Sequence, residues 1–198
     1  MAIRRIKDRW HNSTPESTER NVVAEKTLYD QAGALAFIIW RHGLNGAINL
    51  HAEDYHYDDD QQRVGVITEL LAFQIQHTDR LSHEFLNQEQ RTSFIHALVD
   101  RLADHVQDNL IDIAGPGNYR KPFISLLNQR FSDYADFKYT NAEPGYDCLR
   151  YLGHEILQLM GDNQTNRWVI DQIIGIDAPE LIEKLSPSIY RLFGREEK

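Results

Sequence analysis

Arg63 to Ala114 reads RVGVITELLAFQIQHTDRLSHEFLNQEQRTSFIHALVDRLADHVQDNLIDIA. Ile67, Leu70, Leu71, Leu81 and Phe85 fall on one face at about 100° per residue. Ile95, Leu98, Val99, Leu102, Val106, Leu110 and Ile113 do the same after Asn87. The Asn87 side chain suits a helix start, and Gln90, three residues on, suits the reciprocal bond back to it. Two amphipathic runs broken at a cap predict an antiparallel helical hairpin at the centre of an all-α fold.

Working outward, the punctuation predicts a single-domain bundle of about eight helices over residues 14–194, behind a basic arm at 1–13. Thr14 before Pro15 predicts a helix start, with the helix running to His42 and closed by Gly43. Its second half, Ala34 to Trp40, is apolar all round and is expected at the centre of the bundle. Asn45-Gly46 reads as a turn, and Ala47 to Tyr57 as a short helix or an extended piece. Pro122 and Pro144 mark further helix starts, and residues 135–143 read as loop without a convincing strand pair. Gly161 stops a helix, Thr165 caps the next, Gly175 ends it, Asp177 caps another, and Ser186-Pro187 opens a last short one.

The 198 residues suffice for one domain with a sizeable core, and 41% hydrophobic with 26% charged residues is ordinary for a soluble protein. Cys148 is the only cysteine, which excludes an intrachain disulfide and a thiolate metal cluster. The longest apolar run, Ala32 to Trp40, is far short of the roughly 20 residues of a membrane span, and the first residues lack a secretory pattern. A cytoplasmic setting is the simplest expectation. The net charge of −9 disfavours nucleic acid as a partner. Arg4, Arg5, Lys7 and Arg9 against Asp8 make the arm +3, leaving −12 for the remainder.

Four constellations bear on chemistry. His51, Glu53, His56 and Asp58 combine imidazole with carboxylate, which suits a divalent metal as cofactor, with Glu69 as a further carboxylate. Glu53 and His56 have the Glu-x-x-His spacing of helical carboxylate metal sites, but no second such pair exists in the chain. A solvated acidic loop is the plainer reading. Asp100, Asp104, Asp108 and Asp112 recur every four residues as an acidic stripe: a solvated face, or a docking surface for a basic protein partner or another copy's arm. Tyr119, Arg120 and Lys121 precede a helix start and could hold an anion there, although no glycine-rich phosphate motif accompanies them. His77 and His105 border their apolar stripes and read as boundary histidines hydrogen-bonded to polar neighbours. His154 reads as exposed, and Asp162 to Arg167 as a capped turn. Ser125, Ser132 and Cys148 have no activating motif around them.

The sequence thus favours a non-catalytic interaction, regulatory or assembly factor. The alternatives are a metal-dependent hydrolase or oxidase using residues 51–60, and a bundle enclosing an apolar ligand.

Overall fold

The computed structural model describes residues 27–161 and 168–195. The basic arm with Arg4, Arg5, Lys7 and Arg9, the expected start at Thr14-Pro15 and the turn from Asp162 to Arg167 lie outside them.

The described chain is predominantly helical: α1 (Leu28–Ala52), α2 (Asp60–Ser82), α3 (Gln88–Ala114), α4 (Arg120–Ala135), α5 (Tyr146–Met160), α6 (Val169–Gln172) and α7 (Ala178–Leu192). A π-helical turn, Ile173–Asp177, joins α6 to α7 without a break. The described residues therefore form six helical rods, where about eight helices were expected. The start signal at Asn87 acts as read. Asp59, not read as a cap, accepts from the Gln62 amide at 2.7 Å and caps α2. Asn87 and Gln90 exchange side-chain bonds with each other's backbone N–H, a complete capping box at the head of α3.

The stop signals at Gly43, Asn45-Gly46 and Gly175, and the start signals at Asp177 and Ser186-Pro187, do not act. α1 runs ten residues past His42, because Gly43 and Gly46 are used for close approach. A Cβ at Gly43 would lie 2.9 Å from Leu71 Cδ2, and one at Gly46 2.8 Å from Leu70 Cδ1, both on α2. Asp177 has helical φ and ψ of −68° and −44°, and Pro187 lies inside α7. The π turn sits just before Pro179, whose missing N–H removes one ordinary helical bond, so the chain widens and continues instead of stopping.

The centre of the bundle is α2, not the second half of α1. α2 contacts α1, α3, α4, α5 and α7, and between Arg63 and Ser82 it buries Thr68, Glu69, Gln74, Gln76, His77 and Thr78 among its apolar residues. Hydropathy pointed elsewhere, but three of these polar groups bond within α2 itself. Thr68 donates to Val64 O, Thr78 to Gln74 O, and Gln74 to Leu70 O. Such back-bonding lets a hydroxyl or amide enter a core at small cost. Ala34, Phe37 and Ile38 of α1 are only half-buried.

Residues 135–143 are not plain loop. Tyr139–Thr140 pairs antiparallel with Glu143–Pro144, and the turn residues Asn141 and Ala142 have φ of 53° and 66°. Two positive φ values are what tight hairpin turns require. One continuous apolar cluster, from Ala32 on α1 to Tyr190 on α7, joins the rods. Among the described residues no helix is long and apolar enough to cross a membrane.

Candidate functional site

The acidic loop after α1 spreads its side chains. His51 stands in the last turn of α1, Glu53 follows as its C-cap, and Asp54 turns the chain at φ 65°. His51, Glu53, His56 and Asp58 are all exposed. His51 Nδ1 is 3.2 Å from Tyr55 O, and its ring lies 6.3 Å from that of His56. The Asp58 amide donates to Gln62 Oε1, which belongs to the cap of α2. Among the described residues no three His, Cys, Asp or Glu side chains converge as a metal would need.

The two other predicted sites meet each other. Arg120 Nη2 binds Asp100 Oδ1 at 2.6 Å, and Arg120 Nη1 binds Asp104 Oδ1. One guanidinium thus spans two carboxylates a turn apart on α3, while Arg101, within the stripe, lies over the Tyr29 ring at 4.6 Å. The head of α4 is closed from within. Gln107 Oε1 accepts from the amides of Tyr119 (2.7 Å) and Arg120 (2.9 Å), and Asn118 Oδ1 from that of Lys121 (3.2 Å). Tyr119 OH donates to Gly115 O. The backbone N–H groups of residues 119–121, the Tyr119 hydroxyl and the Arg120 guanidinium therefore already have partners.

His77 is not at a boundary but fully buried, with Nε2 2.9 Å from Ser186 Oγ, and burial pushes its imidazole down to about 4. Half-buried His105 stacks on Trp40 at 5.7 Å, and His154 is exposed as read. Cys148 is buried, and that burial pushes its thiol up to about 11, away from a reactive thiolate.

Two arrangements were missed in the sequence. The first joins α2, α4 and α5. Arg130 Nε and Nη2 grip both oxygens of Glu69 at 2.8 and 2.7 Å. Arg130 Nη2 also reaches Glu155, and Nη1 reaches Tyr151 OH at 2.9 Å and Asp133 at 3.3 Å. Tyr151 OH donates to Asp133. Burial pushes Glu69 above the usual carboxylate range, and Arg130 only partly offsets that.

The second is a cleft of about 40 Å³ between α1 and α7. His42, Asn45, Gly46 and Asn49 line one wall; Asp177, Glu180, Leu181 and Lys184 line the other. Both sets step 0, 3, 4, 7 along their helices, so each is one helix face. Asp177 is 6% exposed, and its Oδ2 has no hydrogen-bond partner. His42 Nδ1 is likewise buried without a partner. Burial, aided by Glu180 and Glu53, raises the Asp177 carboxyl to about 6 against the pull of Gln172 and Lys184. Burial, with Lys184 and Arg41, lowers His42 and keeps it neutral. At the rim, Lys184 Nζ is held by Glu180 at 2.6 Å. A sequence reading that stops α1 at Gly43 and caps a helix with Asp177 cannot assemble this cleft, although both 0, 3, 4, 7 faces are present in the letters.

No family model, no curated protein and no solved structure matches the chain.

Proposed function

We propose that the chain is a non-catalytic interaction protein, a regulatory or assembly factor, that docks a basic protein segment along the acidic face of α3. In this reading α2 and α3 form an antiparallel hairpin that presents Asp100, Asp104, Asp108 and Asp112 on one side. The observation that carries it is the clasp of Arg120 by Asp100 and Asp104. Both carboxylates keep more than half of their side-chain surface exposed while doing so. Carboxylates one helical turn apart therefore accept a forked guanidinium at this surface, and an incoming arginine would compete with Arg120 for that geometry. The arm with Arg4, Arg5, Lys7 and Arg9 has the complementary sign, so a second copy of the chain is one partner that fits.

The test is titration of the full chain with a peptide of its own residues 1–13, followed through Trp10 at rising ionic strength. Binding is expected, weakening as salt screens it. It is also expected to be lost when Asp100, Asp104, Asp108 and Asp112 are all changed to Asn. Equal binding by that variant, or none by the native chain, overturns the proposal.

A further inference from the structure

We propose that the cleft between α1 and α7 is a binding site for a primary alkylammonium group, seated on Asp177 and His42. Two unpartnered acceptors belong to residues that line the cleft from opposite walls. Asp177 Oδ2 has no partner although the side chain is more than nine-tenths buried. A buried carboxylate oxygen without a donor is costly, and native proteins normally supply one. His42 Nδ1 is in the same state, and a neutral imidazole offers that nitrogen as an acceptor when Nε2 carries the hydrogen. Asn49, exposed at the rim, carries an amide oxygen that can serve as a third acceptor. An alkylammonium has three N–H donors in a compact head, which matches three acceptors. The size agrees: about 40 Å³ admits a small head, while the alkyl stem would leave past Leu181.

The charges point the same way. Facing Asp177 are His42 from α1, Glu53, Tyr55 and Tyr57 from the segment after it, and Glu180 and Lys184 from α7. The one cation among them, Lys184, is bound to Glu180. With Asp177 ionised, the group carries excess negative charge for a cation to neutralise. Binding ionises Asp177 and expels its proton, so affinity falls as pH drops below about 6.

A free diamine and a lysine side chain share this chemistry, and calorimetry on the full chain separates them. Diaminobutane and an N-acetyl-lysine amide are titrated in parallel, with butanediol as the uncharged control. At about pH 7.5 at least one amine binds and butanediol does not. At about pH 5 the affinity is about tenfold weaker. Asp177→Asn abolishes binding, and Asn49→Leu, at the exposed rim, weakens it without touching the core. Binding of diaminobutane alone assigns the site to a free amine, and binding of the lysine derivative assigns it to a lysine-bearing partner. Absence of binding by both amines at millimolar concentration, equal binding of butanediol, or native affinity in either variant overturns the proposal. The α3 face plays no part in the cleft, so either proposal can fail alone.

Discussion

Arg130 and Asp177 are sunk to nearly the same depth, at 7% and 6% exposure, yet their surroundings are opposite. Arg130 meets Glu69, Asp133, Glu155 and Tyr151, and four of its hydrogen bonds are 2.9 Å or shorter. Asp177 leaves one oxygen without a partner beside an equally unpartnered His42 nitrogen. Burial of charge is therefore not one phenomenon in this protein. Around Arg130 it is compensated by contacts from α2, α4 and α5, and it fixes how those rods sit. Between α1 and α7 it is compensated only in part, by Gln172 and Lys184, and the cost shows as a carboxyl raised to about 6. Compensated burial acts as structure; a carboxylate oxygen left unpartnered at a cleft is where a ligand would sit.

The largest effect should come from breaking the compensated side. Arg130→Met leaves Glu69 buried without its cation and should cost about 3–5 kcal/mol in urea unfolding. Adding Glu69→Leu to it should recover most of that, because the unpaired charge is gone. If the double variant is no better than the single, Arg130 acts through packing and the contrast with Asp177 fails.

Next come two opposed pH dependences. His77 titrates near 4 in the folded chain and 6.5 in its ordinary state, so stability is full above 6.5 and is lost as pH falls toward 4. A shift of that size corresponds to about 3 kcal/mol. His42, also lowered, adds in the same direction. Asp177 runs the other way. Its folded value of about 6 lies above its ordinary 3.8, so its contribution is full below 3.8 and is lost as pH rises through about 6. The two nearly cancel between about pH 4 and 6, which makes the native stability profile flat there. His77→Gln should expose the Asp177 slope, with stability falling as pH rises. Asp177→Asn should expose the histidine slope and raise stability at neutral pH by about 2–3 kcal/mol. Profiles of both variants parallel to that of the native chain would show that neither burial is expressed in solution.

The smallest effect sharpens the floor of the cleft. Gly46→Ala gains about 0.5–1 kcal/mol of helix preference. It also drives a Cβ to 2.8 Å from Leu70, which is fully buried and cannot withdraw freely. A net loss of about 1 kcal/mol in thermal unfolding is expected. A gain would mean that α1 and α2 separate more easily here than their packing indicates.

Much of the helical content was legible because amphipathic spacing and caps are local. Asn87 caps its helix using a side chain and an amide within three residues of each other, so the letters suffice. Glycine and proline misled for the opposite reason. Gly43 and Gly46 look like stops but serve the approach of α2, a contact between distant parts of the chain. Pro179 and Pro187 look like starts but lie in a helical run held by packing against α1, α2 and the core. The acidic stripe and the cationic loop were each legible alone. That Arg120 of one answers Asp100 and Asp104 of the other was not, since twenty residues separate Arg120 from Asp100. The Arg130 network was missed because its residues come from three helices and share no spacing.

By itself the sequence determined that this is a helical protein with an acidic body, because periodicity, caps and charge are properties of short stretches. Only the tertiary structure decided which helix is central, which glycines bend nothing, and which buried charges find partners. Those outcomes depend on side chains brought together from far apart, where desolvation is either met by a hydrogen bond or left standing.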